Sequence, residues 1–241
     1  MTWKVELRGD MSDLDQLARS FTGTDINIAA HGKEYLLTSE RFDHLEEADQ
    51  VRNEALVMVA VLDGGCRLAL NSTKTLMVGA VYRYDAKGGR SITVFPEPAV
   101  FQLRTIGPTV TLTRSDGGME TFHPADVVRD WARIALSSSS VKDVFELIRF
   151  GELDWVNLYK IIEIIEDDVG GGVSLERKKW VQAQSIRLFK RTANCRRAIG
   201  SQARHGHQRF EPPRTPMTLA GAQSLIKMIT RAWLQENISG G

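Results

Sequence analysis

Arg204-His205-Gly206-His207 lies within CRRAIGSQARHGHQRFEPPRTP, Cys195–Pro216, which holds five arginines and two histidines against a single acid, Glu211. These residue types suit work on phosphate esters. An imidazole titrating near pH 6.5, its reference value of about 6.5, gives and takes protons at neutrality. A guanidinium grips a phosphate through two parallel donors. Three readings stay open. Arg204, His205 and His207 form a catalytic set that cleaves a phosphodiester, or they contact phosphate or RNA without breaking a bond. In the third they cap a helix end, where cations meet the negative end of the helix dipole. Lys190, Arg191, Arg196, Arg197 and Arg209 are the expected RNA- or phosphate-binding residues around them.

The formal net charge of +1 conceals a segregation. From Gly171 to Pro216 eleven basic residues stand against two acids, Glu176 and Glu211, a local charge of +9; the other 20 basic and 28 acidic residues carry −8. Such asymmetry points to RNA or another polyanion, or to an acidic protein partner. It also fits a basic helix facing the chain's own acids, with EIIEDD at Glu163–Asp168 as the partner segment.

Other chemistries find little support. Cys66 and Cys195 make neither a disulfide framework nor a four-ligand metal site. Cys195 beside Arg196 and Arg197 reads either as an activated thiol or as a small buried hydrophobe. His205 and His207 have no third zinc ligand at a suitable spacing. His31, His44 and His123 are scattered singly and read as surface or strand-end residues. Neither phosphate-binding glycine loop is present, so no cofactor and no metal is expected. No apolar run reaches the roughly 20 residues of a membrane span. The N-terminus MTWKVELRGDMSDLD lacks a secretory pattern, so the expectation is a cytoplasmic protein with no membrane partner.

The elements that must position these residues follow from periodicity. An α+β fold is expected, with residues 1–122 as a mixed module and 123–241 as a helical bundle. TWKVELRG reads as an edge strand, and DINIAAHGKEYLLTS as two short strands around His31-Gly32. MSDLDQLARSF between them is a helix with Ser12 and Asp15 as its capping pair. Ala48, Val51, Ala55, Met58, Leu62, Cys66 and Ala69 mark one face of a long helix over Leu45–Leu70. A meander of four or five antiparallel strands follows, built from TLMVGAVYRYD, RSITVFPE, VFQLRTI, TVTLTRS and METF.

The second half reads as helix throughout. HPADVVRDWARIAL is followed by SSSSVKDVFELIRFG, with Ser140 and Asp143 as a capping box. Three longer helices then carry the stripes Trp155–Leu158–Ile162–Ile165–Val169, Ala183–Ile186–Phe189–Ala193 (within Leu175–Asn194) and Leu219–Ala222–Ile226–Ile229–Trp233, the last with Thr218 as N-cap.

A helical bundle with an Arg/His-bearing polar motif near the start of its final helix resembles the HEPN domains of prokaryotic defence and toxin proteins. The resemblance rests on TAN, RRAIGSQARHG and PMTLAGAQSLIKMITRAWL, and covers about Asp154–Ile238. It implies a homodimer and metal-independent RNA cleavage, with histidine deprotonating the ribose 2′-hydroxyl and arginine steadying the phosphorane. In active members more residues separate the arginine from the histidine than the two between Arg204 and His207. A noncatalytic bundle of this kind, binding RNA or another chain, needs no such spacing. A sensing or regulatory role then falls to the N-terminal module.

Overall fold

A computed structural model of the chain describes residues 2–23, 25–85, 89–95, 110–113, 119–123, 125–150, 152–204 and 211–239, with backbone alone at 110–113, 119–122 and 150. The α+β class is the observed one, and the chain divides into two units, Met1–Leu136 and Ser137–Gly241.

In the first unit the elements run β1 (Thr2–Arg8), α1 (Met11–Ser20), β2 (Ile26–His31), β3 (Glu34–Ser39), α2 (Ala48–Ala69), β4 (Met77–Tyr84), β5 (Arg90–Thr93), β6 (Val110–Thr113), β7 (Met119–Phe122) and α3 (Asp126–Ala135). Five strands form one antiparallel sheet in the order β2-β3-β1-β4-β5. β1 is central, not an edge: Val5 pairs with Leu37 on one side and Val81 on the other. Alternation of Trp3, Val5 and Leu7 reports one buried face, and one buried face is common to edge and central strands. The expected single meander resolves into the hairpin β4-β5, which extends this sheet, and the separate pair β6-β7. The segment VFQLRTI lies outside the described residues.

Helix α2 runs unbroken through Gly64 and Gly65 and packs on β1, β4 and α3. A Cβ on Gly65 would stand 2.8 Å from Val128 Cγ1 of α3, so the glycine is what lets the two helices close. Arg129 of α3 also donates to the Ser20 carbonyl at 3.3 Å. These contacts place α3 with the first unit, so the division falls after Leu136, not at the expected 122/123.

The cap of α1 is Asp10, whose Oδ1 accepts from Ser12 N at 3.0 Å, not the expected Ser12–Asp15 pair. Asp15 accepts instead from the Tyr35 hydroxyl, and that bond, ahead of burial, holds the phenol up at about 12. The folded value lies above the ordinary 10.0, so the bond's contribution to stability is complete below pH 10.0 and fades as pH rises towards about 12. In Asp15→Asn the Tyr35 phenol should titrate back near its ordinary value, followed by carbon-13 NMR of labelled tyrosines; an unmoved phenol would show that Asp15 is not the cause.

The second unit is helical: α4 (Ser139–Phe150), α5 (Trp155–Asp168), α6 (Gly172–Arg177), α7 (Ala183–Ala193), α8 (Arg196–Ile199) and α9 (Leu219–Ser239). α5 is the hub and touches α4, α6, α7 and α9. Its start is capped by Asp154, which accepts from Asn157 N at 2.8 Å. Gly170 and Gly171 end it, with φ of +86° and +100°, in the left-handed region glycine enters without strain. Leu158, Ile162, Ile165, Phe189, Ala193, Ala222, Ile226, Ile229 and Trp233 are buried, so the three expected stripes supply the core, with the end positions Val169, Ala183 and Leu219 half-buried.

Two local expectations change. Ser138, not Ser140, caps α4, its Oγ accepting from Val141 N at 3.3 Å. The helix expected over Leu175–Asn194 is two helices with a break at Lys178–Gln182, where Lys179 has φ of +56°. The apolar stripe itself lapses at Lys179 and Gln182, so no buried face holds that stretch in helix. Thr218 keeps its expected place, accepting from Gly221 N at 3.1 Å. No helix among the described residues is long and apolar enough to cross a membrane.

Candidate nucleic-acid interface

The basic face is built by α7, α8 and the turn that follows them. α7 buries Ile186, Phe189, Thr192 and Ala193, which leaves Arg187, Lys190 and Arg191 along its polar side. Thr192 ties the far end of the turn to this helix: its hydroxyl donates to the Leu188 carbonyl at 2.8 Å and accepts from Met217 N at 3.2 Å.

The cations then sort into inward and outward groups. Lys190 turns inward and bridges both oxygens of Glu166 on α5, a side chain only 11% exposed. Arg204 is exposed but lies against α5. Its guanidinium pairs with Glu163 at 2.9 Å and lies 4.4 Å from the centre of the Tyr159 ring, while its backbone N–H donates to Ala193 O at 3.0 Å. The Tyr159 hydroxyl in turn accepts from Asn194 at 3.1 Å. Arg187 forms a forked pair with Glu176, at 2.9 and 2.5 Å. That pairing, stronger than the opposing effect of burial, holds the Glu176 carboxyl below its usual range.

Arg191, Arg196 and Arg197 face outward and are exposed. Arg191 donates to the backbone carbonyl of Glu211 at 3.2 Å, and Arg197 pairs with its carboxylate at 3.0 Å. A carbonyl contact orients Arg191 but leaves its charge in place. The one acid of Cys195–Pro216 is thus the point on which Arg197 of that stretch and Arg191 of α7 converge. Cys195, at the N-cap of α8, is 1% exposed and reads as the small buried hydrophobe of its two readings.

No protein-family model, curated protein or solved structure matches this chain. The assignment of the site therefore rests on its own geometry.

Of the expected catalytic set, Arg204 contacts α5 through Glu163 and Tyr159, and His205 and His207 lie outside the described residues, as does the expected phosphate ligand Arg209. Of the other expected phosphate ligands, Arg191, Arg196 and Arg197 are exposed, Arg191 and Arg197 meeting at Glu211, and Lys190 is withdrawn to Glu166. The segment EIIEDD does serve as a partner for the basic residues, through Glu163 and Glu166, while its Asp168 accepts from Trp233 Nε1 at 2.8 Å. Arg177, Lys179 and Arg214 are further exposed cations of the same stretch that were counted in its charge but not as ligands. Among the described residues no group of three His, Cys, Asp or Glu side chains is placed to hold a metal ion.

Proposed function

We propose that the C-terminal unit binds single-stranded RNA or a similar polyphosphate through Arg191, Arg196 and Arg197, without cutting it. The observation that supports this reading is the division of the cations. Arg191, Arg196 and Arg197 are exposed, Arg197 being paired with the exposed carboxylate of Glu211, whereas Arg204, exposed as well, is engaged by both the half-buried carboxylate of Glu163 and an aromatic ring. A phosphate-binding face needs solvent-accessible guanidinium groups. A transition-state arginine must be released to the reacting phosphate, and the Glu163 pair and the Tyr159 stack oppose that release. On the HEPN resemblance, the setting would be a bacterial defence or toxin system, and the assembly a homodimer.

The test uses end-labelled mixed-sequence RNA in EDTA, with wild type beside Arg191→Ala/Arg196→Ala/Arg197→Ala and Arg204→Ala. Wild type should shift the RNA and leave it intact. In the triple variant the log–log salt slope should fall by about 2, at roughly 0.7 per phosphate contact on a single strand. An unchanged slope would remove these arginines from the interface. Metal-independent cleavage lost in Arg204→Ala would replace binding with catalysis.

A further inference from the structure

Between α4 and α5 lies a groove of about 560 Å³, lined by Asp143, Glu146 and Leu147 from α4 and by Lys160, Glu163, Ile164 and Asp167 from α5. The spacings are i, i+3, i+4 on the first helix and i, i+3, i+4, i+7 on the second, so each set occupies one stripe of its helix. On α5 this stripe is distinct from the core stripe: Leu158, Ile161, Ile162 and Ile165 are buried, whereas Ile164 is half-buried. Leu147 is half-buried in the same way, next to the buried Ile148. The groove thus has two aliphatic side chains along it and four carboxylates beside the amine of Lys160, Glu163 among them already paired with Arg204.

We propose that this groove docks a cationic amphipathic helix of a partner protein. Two neighbouring helices with apolar residues between them offer the surface on which an amphipathic helix lays its apolar face. Leu147 and Ile164 meet that face, and Asp143, Glu146 and Asp167 meet flanking lysines or arginines. Charge selects among occupants. The carboxylates repel a nucleic acid, so this surface is separate from the arginines proposed to bind RNA, and neither reading depends on the other. A second copy related by a two-fold axis would bring the same acidic stripe against itself. A cationic helix is the occupant for which both the apolar floor and the acidic walls are favourable.

The experiment uses the full chain and a fluorescein-labelled Leu/Lys peptide of about five helical turns with its leucines on one face. A permuted isomer of the same composition spreads the leucines around the helix. Anisotropy should show the amphipathic isomer binding roughly tenfold tighter than the permuted one, a difference of about 1.4 kcal/mol. Asp143→Asn/Glu146→Gln/Asp167→Asn should lose most of that affinity and its salt dependence, and Leu147→Ala/Ile164→Ala should lose the preference between isomers. The carboxamide variant alters exposed or half-exposed side chains, so it tests the proposal even if the apolar variant fails to fold. Absent binding, equal binding of both isomers, or full binding by the carboxamide variant would overturn the proposal. So would self-association of wild type in sedimentation that vanishes in the carboxamide variant, which would assign the groove to a second copy.

Discussion

Phe189→Ala is expected to lower the unfolding free energy of the C-terminal unit by about 3–5 kcal/mol. The ring is fully buried and stacks on two others, with centroids 6.0 Å from Trp155 and 5.9 Å from Tyr159. Truncation removes transfer free energy, leaves a cavity and deletes both ring contacts, each of the latter worth about 0.5–1.5 kcal/mol beyond its area. The hub helix α5 cannot close that cavity cheaply, because its buried face is also packed by α9. Urea denaturation followed by tryptophan fluorescence and circular dichroism reads the change. Arg187→Ala is the matched control on the same helix: its side chain is 70% exposed, and surface pairs of this kind contribute at most about 1 kcal/mol. A Phe189→Ala effect no larger than the control's would mean that the ring stack does not organise the unit. The consequence reaches the interface, since Tyr159 also carries the Arg204 guanidinium.

What the sequence made legible has the same origin as this prediction. The stripes through Ile162, Phe189 and Ile229 are readable because burial on one helical face imposes a period near 3.6 residues, and the structure buries all three. The position of β1 was not readable, because alternation records faces and not neighbours. The break at Lys179 left a trace in the lapsed stripe, and the φ of +56° there is a tertiary outcome. Glu166 offered a stronger clue. It follows Ile162 by four residues and so falls on the buried stripe of α5, where a lone carboxylate is costly. A cation had to meet it, and the basic helix was the nearest supply. Which lysine or arginine would do so depends on long, flexible side chains that spacing alone leaves undetermined. For the same reason the sequence grouped Lys190 with the phosphate ligands.

Lys190→Met should separate these roles. It leaves the carboxylate of Glu166, 11% exposed, without its cation, and breaking a buried pair from one side costs about 3–5 kcal/mol. Because the Lys190 side chain is 29% exposed, water offsets part of that loss, and about 2 kcal/mol is the expected destabilisation. Adding Glu166→Leu should recover most of it, since the paired removal of both charges leaves an apolar contact instead of an orphan. The double-mutant cycle in urea then gives the coupling directly; additive losses would show that the two groups do not depend on each other. RNA affinity supplies the second axis. A phosphate ligand weakens binding when it is removed, whatever its effect on folding. If Lys190 serves Glu166, the folded double variant should bind RNA with the salt slope of wild type, and Arg191→Ala, equally folded, should not. Loss of slope in the double variant would return Lys190 to the interface and mean that its pair with Glu166 opens when RNA is bound.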